Sequence, residues 1–419
     1  MRYREKLEQA GVKFFEAGFL DLEGNMRLRI FPVKVFDKIA SEGYGFDGYS
    51  TGFVDIEDSD LVAVPDLSTL RIYSAGDEKR ALVICDIYKD DKPLEIDPRY
   101  MLRTFVNSLT YSVKVGLEPE FYLLEGGNPV DQSSYMYSIL RVNVHSILTE
   151  LVNSLQEAHI EVTLLHHEVG PGQFEITLPY GDPVEVCDNY VFLKHLLRVC
   201  TNFRGLGATF MPKPFTGKPG NGLHIHISAI KRDTHLFGKE ELSEEGMYFM
   251  GGLLKYARSI CLYTNSTVNS YKRLVPGFEA PVYPVWGRGN RSVLVRIPNY
   301  RRNDTIRLEY RAPDCSGNVY LTLLAVLWAG NRGLVERVEP GSEFPFNAYR
   351  ENPKIDTIPS SLEEAIKLAD KRPVGNVYSR LMDIKVKEWR DYVKYCSELK
   401  IDPKSPVVSE WEWRRYLYR

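Results

Sequence analysis

The sequence predicts an α+β protein of two domains, with an antiparallel sheet in the larger one. Three observations carry that prediction. A chain of 419 residues with 44% apolar side chains exceeds what one small core takes up. A helix-start signal, Asp97 as N-cap and Pro98 at the first helical position, closes the punctuated stretch DKPLEIDPRY. It divides the chain into 1–97 and 98–419. From Val113 onward, strand-type and helix-type patterns alternate.

The first hundred residues read as short strands and turns. Arg27–Phe31 is strand-like, residues 45–60 form a loop, and Arg80–Tyr88 is another strand. Beyond the boundary Val113–Glu125 reads as a strand. Val142–His159 is a helix by its apolar spacing at Val144, Ile147, Leu148, Leu151, Val152 and Leu155. Glu161–His167 and Gln173–Leu178 are strands around a GPG turn. Asp188–Arg204 and Met247–Tyr263 are helical, and Leu223–Ser228 is a strand. Ser292–Ile297 and Thr305–Ala312 are strands, and Leu321–Asn331 and Ser361–Ala369 are helices.

Composition narrows the function classes. The net charge is −3 with no basic block, so no nucleic-acid partner is expected. The longest apolar stretch, Leu321–Ala329, contains Thr322 and is too short to span a bilayer. The amphipathic N-terminus has no signal-peptide core. Six cysteines are scattered without a CxxC, which fits neither a disulfide framework nor a zinc site. A cytoplasmic location with no membrane association is expected.

The informative feature is charge inside the strands. Residues i and i+2 of a strand share a face. Glu118 and Glu120 share one, as do His224 and His226, and as do Arg307, Glu309 and Arg311. Glu168 and Glu175 flank the GPG turn and could face each other across a hairpin. For any single pair, a solvated sheet face is the plainer reading, because the alternate residues Leu117, Phe121, Ile225, Ile227 and Leu308 are apolar. Recurrence in several strands shifts the balance towards a shared site. Carboxylates alone cannot crowd together without some protonating, and divalent cations relieve that. An oxygen-rich set with little imidazole suits Mg2+ or Mn2+ better than zinc. A second group is cationic: Arg273, Arg288, Arg291, Arg296, Arg301, Arg302, Arg307 and Arg311. Arginine grips phosphate and carboxylate bidentately, although Arg288, Arg301 and Arg302 read better as exposed loop residues. Metals and arginines on one surface suggest phosphoryl transfer. No GxxxxGK[ST] loop is present.

These residues resemble the glutamine synthetase family, in order and over nearly the whole chain. The matching segments are FDGYST (46–51), SDLVAVPDLST (59–69), EPEFYLL (118–124), HHEVGPGQFEI (166–176) and KPFTGKPGNGLHIHIS (213–228). They continue as NSYKRLVPGFEAPV (269–282), NRSVLVRIP (290–298), RLEYRAPDCSGNVYL (307–321), SSLEEAI (360–366) and WEWRRYL (411–417). The resemblance implies a small N-terminal β-grasp domain, a larger catalytic domain, and a dodecamer of two stacked hexameric rings with active sites between subunits. It implies ATP-dependent ligation of ammonia to L-glutamate through γ-glutamyl phosphate. It implies at least two Mg2+ or Mn2+ ions, one held by Glu120, Glu168 and Glu175, the other by Glu118, His224 and Glu309. ATP would meet His226, Ser228 and Arg296, with Arg291 and Arg307 near its phosphates. Glutamate would meet Glu120, Gly220, His224, Arg273 and Arg311, under a flap carrying Glu279. Asp47 of the next subunit, with Glu168, Glu279 and Tyr135, would bind ammonium and take its proton.

Three departures bear on the substrate. Where glutamine-forming members read DNGSG, this chain reads KPGNG, Lys218 to Gly222. Pro219 thus replaces an asparagine, and Asn221 is a candidate to compensate. Tyr49 stands where a small serine is usual, and the loop between Asp47 and Asp60 is one residue shorter. These keep open a glutamate ligase for polyamines, ethanolamine or another amine. A catalytically silent scaffold and a His224–His226 metallohydrolase are weaker alternatives. Tyr349 falls where some relatives carry a modified tyrosine, and its surroundings favour a plain surface-loop aromatic.

Overall fold

The computed structural model describes residues 3–138, 140–275, 280–299 and 306–418. Glu279, Arg301 and Arg302 lie outside the described residues. The N-terminal part contains α1 (Tyr3–Gln9), β1 (Phe14–Leu20), β2 (Met26–Pro32), α2 (Phe36–Glu42), β3 (Tyr44–Asp47), β4 (Asp60–Pro65), β5 (Arg71–Ala75), β6 (Glu78–Lys89) and β7 (Lys92–Pro93). Its sheet runs β2-β1-β6-β4-β3, with β5 and β7 also on β6. β1 and β6 pair in parallel and the other pairs are antiparallel. Sequence reading assigned no strand to β1. It is buried at nearly every position, so it shows no alternation to read.

α3 (Pro98–Ser108) begins where Asp97 accepts a hydrogen bond from the Arg99 backbone. Then come β8 (Ser112–Glu125), β9 (Asn128–Pro129), α4 (Val142–Glu157), β10 (Leu164–His167), β11 (Gln173–Thr177), α5 (Pro183–Phe203), β12 (Gly207–Thr209), β13 (Leu223–Lys231), β14 (Thr234–His235) and α6 (Glu244–Thr264). The rest are α7 (Ser270–Arg273), β15 (Trp286–Arg288), β16 (Val295–Ile297), β17 (Leu308–Tyr310), α8 (Val319–Glu336), α9 (Ala348–Glu351), α10 (Leu362–Leu368), α11 (Tyr378–Leu399) and α12 (Glu410–Tyr416). The expected helix from Asp188 instead starts at Pro183, capped by Asp182, a second Asp-Pro start. The strands expected over Ser292–Ile297 and Thr305–Ala312 shorten to β16 and β17.

The second sheet runs β10-β11-β8-β13-β17-β16-β15 and is antiparallel except between β15 and β16. Its register places the site. Glu118 pairs with His224, His226 with Glu309, and Glu120 with Glu175. The opposite face, with Leu117, Phe121, Ile225, Ile227 and Leu308, is fully buried. The apolar run Leu321–Ala329 is the interior of α8, which packs on α6. No helix among the described residues is long and apolar enough to cross a membrane.

Candidate active site

The charged strand faces are not solvated. Glu309 is 1% exposed, His224 6% and Glu175 7%. The solvated-face reading of each pair is therefore corrected: neighbouring strands and the loops above them enclose these groups. Glu118, His224 and Glu309, from β8, β13 and β17, bring ligand atoms within 4.8 Å of one another. Glu175 joins two further groups of that kind, one with Glu120 and His224, the other with His166 and Glu168. Glu120 and Glu168 thus both reach Glu175, from opposite sides. His166 had no place in the sequence reading. Its Nε2 lies 2.9 Å from Glu168 Oε1, and its ring meets Tyr135 edge-on at 5.4 Å. The signal was available, since His166 stands two residues before Glu168, at the end of β10.

Burial and mutual repulsion govern the ionisation of these carboxyls. Burial pushes Glu175 well up, and Glu118, Glu120 and Glu168 push it further. Burial raises Glu120 too, reinforced by Glu168. Burial also opposes ionisation of Glu118, but hydrogen bonds with His224 and His226 hold it well below the usual range. Glu309 is brought down to about 2: Arg311, the histidines and Arg296 outweigh its burial. Burial and then Arg311 lower His224 to about 4, which leaves a neutral imidazole suited to a cation. An oxygen-rich donor set that resists full ionisation until a cation arrives fits hard divalent ions.

The arginines converge from the other side. Arg296 donates to Glu309 Oε2 at 2.6 Å, and Arg311 donates to Glu309 Oε1. Arg307 Nε donates to His226 Nδ1 at 3.2 Å, while His226 Nε2 lies 2.9 Å from Glu118 Oε1. Ser228 follows on the same face of β13. Arg273, at the end of α7, donates to the Ala312 carbonyl at 2.7 Å and is 3% exposed.

A cavity of about 1030 Å³ opens beside these groups. Glu120, Tyr135, Glu168, Glu175, Gly220, His224, Arg273, Arg291 and Arg311 are among the residues that line it. Asp47 does not: it is exposed at the end of β3, bonded to the Tyr49 backbone and the Ser50 hydroxyl. Two residues read as surface features also line the cavity, Arg288 while remaining exposed. Arg288 lies at its rim, and Tyr349 is half-buried there, beside Arg311. Tyr349 sits in α9, a single turn of four residues too short to show a periodicity from which its position could be read.

The KPGNG loop resolves the question about Asn221. Asn221 is fully buried, with its amide donating to the Met211 carbonyl at 2.9 Å and its oxygen accepting from Gln173 at 3.1 Å. It anchors the loop from behind and does not replace the missing side chain. Pro219 itself lines the cavity.

Residues 95–416 match the family model described as glutamine synthetase, catalytic domain, and residues 11–90 match glutamine synthetase, beta-Grasp domain. The chain belongs to the glutamine synthetase family. As a member it is an ATP-dependent ligase with a β-grasp domain ahead of a larger catalytic domain. Curated relatives named glutamine synthetase include one from Pyrococcus horikoshii, 39% identical over 97% of this chain and 96% of the relative. Another, from Thermotoga maritima, is 38% identical over 98% of each. A solved structure described as "GmaS/ADP complex-Conformation 1" superposes with a TM-score of 0.87 at 27% identity, covering 99% of both chains.

Proposed function

We propose that this chain joins ammonium to the side-chain carboxylate of L-glutamate, driven by ATP, through γ-glutamyl phosphate. The observation that carries the reading is the convergence, over one cavity, of the carboxylate–imidazole groups with the buried guanidiniums of Arg273 and Arg311. The names of the curated relatives support it. Mg2+ or Mn2+ would be held by Glu118, His224 and Glu309 and by Glu120, Glu168 and Glu175, and would supply charge neutralisation for the phosphates. We place the domain boundary at residues 97 and 98, the assembly as stacked hexameric rings, and the enzyme in the cytoplasm.

The chain's residues then divide the work. Arg273 binds the α-carboxylate and Arg311 the side-chain carboxylate, with Glu120, Gly220 and His224 around them. His226, Ser228 and Arg296 hold the nucleotide, while Arg291 and Arg307 meet its phosphates. An oxygen of the substrate carboxylate attacks the γ-phosphorus and ADP leaves. Ammonium gives a proton to the Asp47 carboxylate of a neighbouring subunit, in a pocket with Glu168, Glu279 and Tyr135. Ammonia attacks the acyl carbon, the bond from that carbon to the phosphate oxygen breaks, and the departing phosphate takes the surplus proton of the new amide nitrogen. A closed flap keeps water from the acyl phosphate.

A larger amine in place of ammonium is the second reading. Pro219, Phe346 and Tyr349 on the cavity wall favour it. One experiment separates the two: phosphate release with ATP, Mg2+ and glutamate, offered ammonium, ethanolamine or polyamines in turn. Ammonium is expected to give the highest kcat/KM. Phosphate release that persists unchanged without any amino acid overturns both.

A further inference from the structure

The segment WEWRRYL matched the family but found no part in the site. In the structure it forms α12, far along the chain from every residue discussed above. A helix that only completes a core would present an apolar face. α12 instead buries a carboxylate: Glu412 is 0% exposed. Burying a carboxylate is costly unless its oxygens are fully engaged. Those of Glu412 are engaged by the 269–272 segment and by Ser409. Oε1 accepts from the Asn269 amide at 2.9 Å, and Oε2 lies 2.8 Å from the Lys272 ammonium. Oε2 also accepts from the Ser409 backbone and hydroxyl in a capping box. Asn269 precedes α7 as its N-cap, and Lys272 lies within it, next to its last residue, Arg273.

The same contacts reach the opposite wall of the cavity. Asn269 accepts from the Lys213 backbone at 2.6 Å and donates to its carbonyl at 3.0 Å. Trp413, next after Glu412, donates its indole N–H to the Pro214 carbonyl at 2.6 Å and meets the Phe215 ring edge-on at 5.6 Å. The Val408 backbone donates to the Thr216 hydroxyl at 2.9 Å. Phe215 then packs on Tyr122, whose hydroxyl donates to the Pro219 carbonyl at 2.8 Å. Pro219, Gly220 and Arg273 all line the cavity. A Cβ on Gly220 would lie 2.8 Å from Arg273 Cγ, so the two walls already meet at closest approach.

We propose that Glu412 and Trp413 are positioning residues for the amino-acid substrate: they fix Arg273 against the 213–222 loop. This rests on the reading of the cavity as a glutamate site. The nucleotide-side residues are held differently: His226 by Glu118, Arg296 by Glu309, and Arg307 through its bond to His226. A disturbance of α12 therefore reaches glutamate before ATP.

Trp413→Phe keeps an aromatic ring beside Phe215 but removes the N–H donor together with the second ring of the indole, and Glu412→Gln keeps the shape and removes the charge opposite Lys272. In the intact enzyme each is expected to raise the KM for glutamate about tenfold, with kcat and the KM for ATP within about twofold of the parent. Arg414→Ala, on the exposed side of the same helix, is expected to leave all three unchanged. An equal rise in both KM values, or no rise in either, overturns the proposal. Hydrogen–deuterium exchange of 213–222 and 267–275 tests it without turnover. Faster exchange in Trp413→Phe is expected, and unaltered exchange overturns it. If the parent releases no phosphate with glutamate, the glutamate reading falls, and exchange alone decides the role of α12.

Discussion

Glu309 sits between the guanidiniums of Arg296 and Arg311, and it also belongs to the group formed with Glu118 and His224. It is therefore a counter-ion to both arginines and, in the proposed site, a metal ligand as well. Removing it leaves two buried cations with no carboxylate between them, which is strongly unfavourable. Glu309→Ala is expected to weaken nucleotide binding about a hundredfold at saturating Mg2+, because both the ligand and the aim of the arginines are lost. Calorimetric titration with ADP measures this, and undiminished affinity refutes the role. His166, Gln173 and Tyr349 belong to the same scale. Each stands by the site through a register or a loop path that a single motif does not encode.

Elements were legible where local rules fix them. Asp97–Pro98 marks the start of α3 because a side-chain cap and a preset φ act within one turn. The alternation in GLHIHIS and IRLEYRA marks β13 and β17 because one face is apolar core and the other is the site. β1 was not legible, since both of its faces are buried. Neither was α11, whose buried stripe of Leu381, Lys385, Glu388, Tyr392 and Cys396 puts charges at two core positions and breaks the apolar period. The pairing of α6 with α8 was equally hidden, because it depends on glycine. A Cβ on Gly252 would collide with the Ala329 carbonyl and stand 2.7 Å from Gly333 Cα. Gly252→Ala is expected to destabilise the fold by about 1–3 kcal/mol through overpacking, with near-normal turnover per folded molecule. Denaturant unfolding alongside an activity assay checks both parts.

The whole molecule depends on joints that no single element reveals. Glu16, from the N-terminal sheet, accepts from the Tyr73 hydroxyl at 3.0 Å and lies 3.0 Å from His195 Nε2 on α5. Burial opposes its ionisation, yet His195, Tyr73 and Arg80 hold its pKa below the ordinary carboxylate range. A depressed folded-state pKa gives stability that is present above the unfolded pKa and lost as pH falls through the folded one. Glu16→Gln is thus expected to cost about 1–3 kcal/mol at neutral pH. The difference from the parent should shrink below about pH 4, and a gap that stays constant with pH counts against the ion-pair account. In the proposed ring a further joint would lie between subunits. Asp47 is exposed and does not line the cavity of its own chain, yet the proposed chemistry needs a carboxylate at the ammonium site. A head-to-tail ring supplies one from the next subunit. Asp47→Ala and Arg311→Ala should each be inactive alone, but they damage different halves of a shared site. In a ring co-assembled from equal amounts, half the cavities keep Arg311, and half of those face a neighbour that keeps Asp47. About one quarter of parental activity is therefore expected on co-expression. Activity no higher than that of the separate variants would mean that Asp47 serves its own chain or does not serve the site at all.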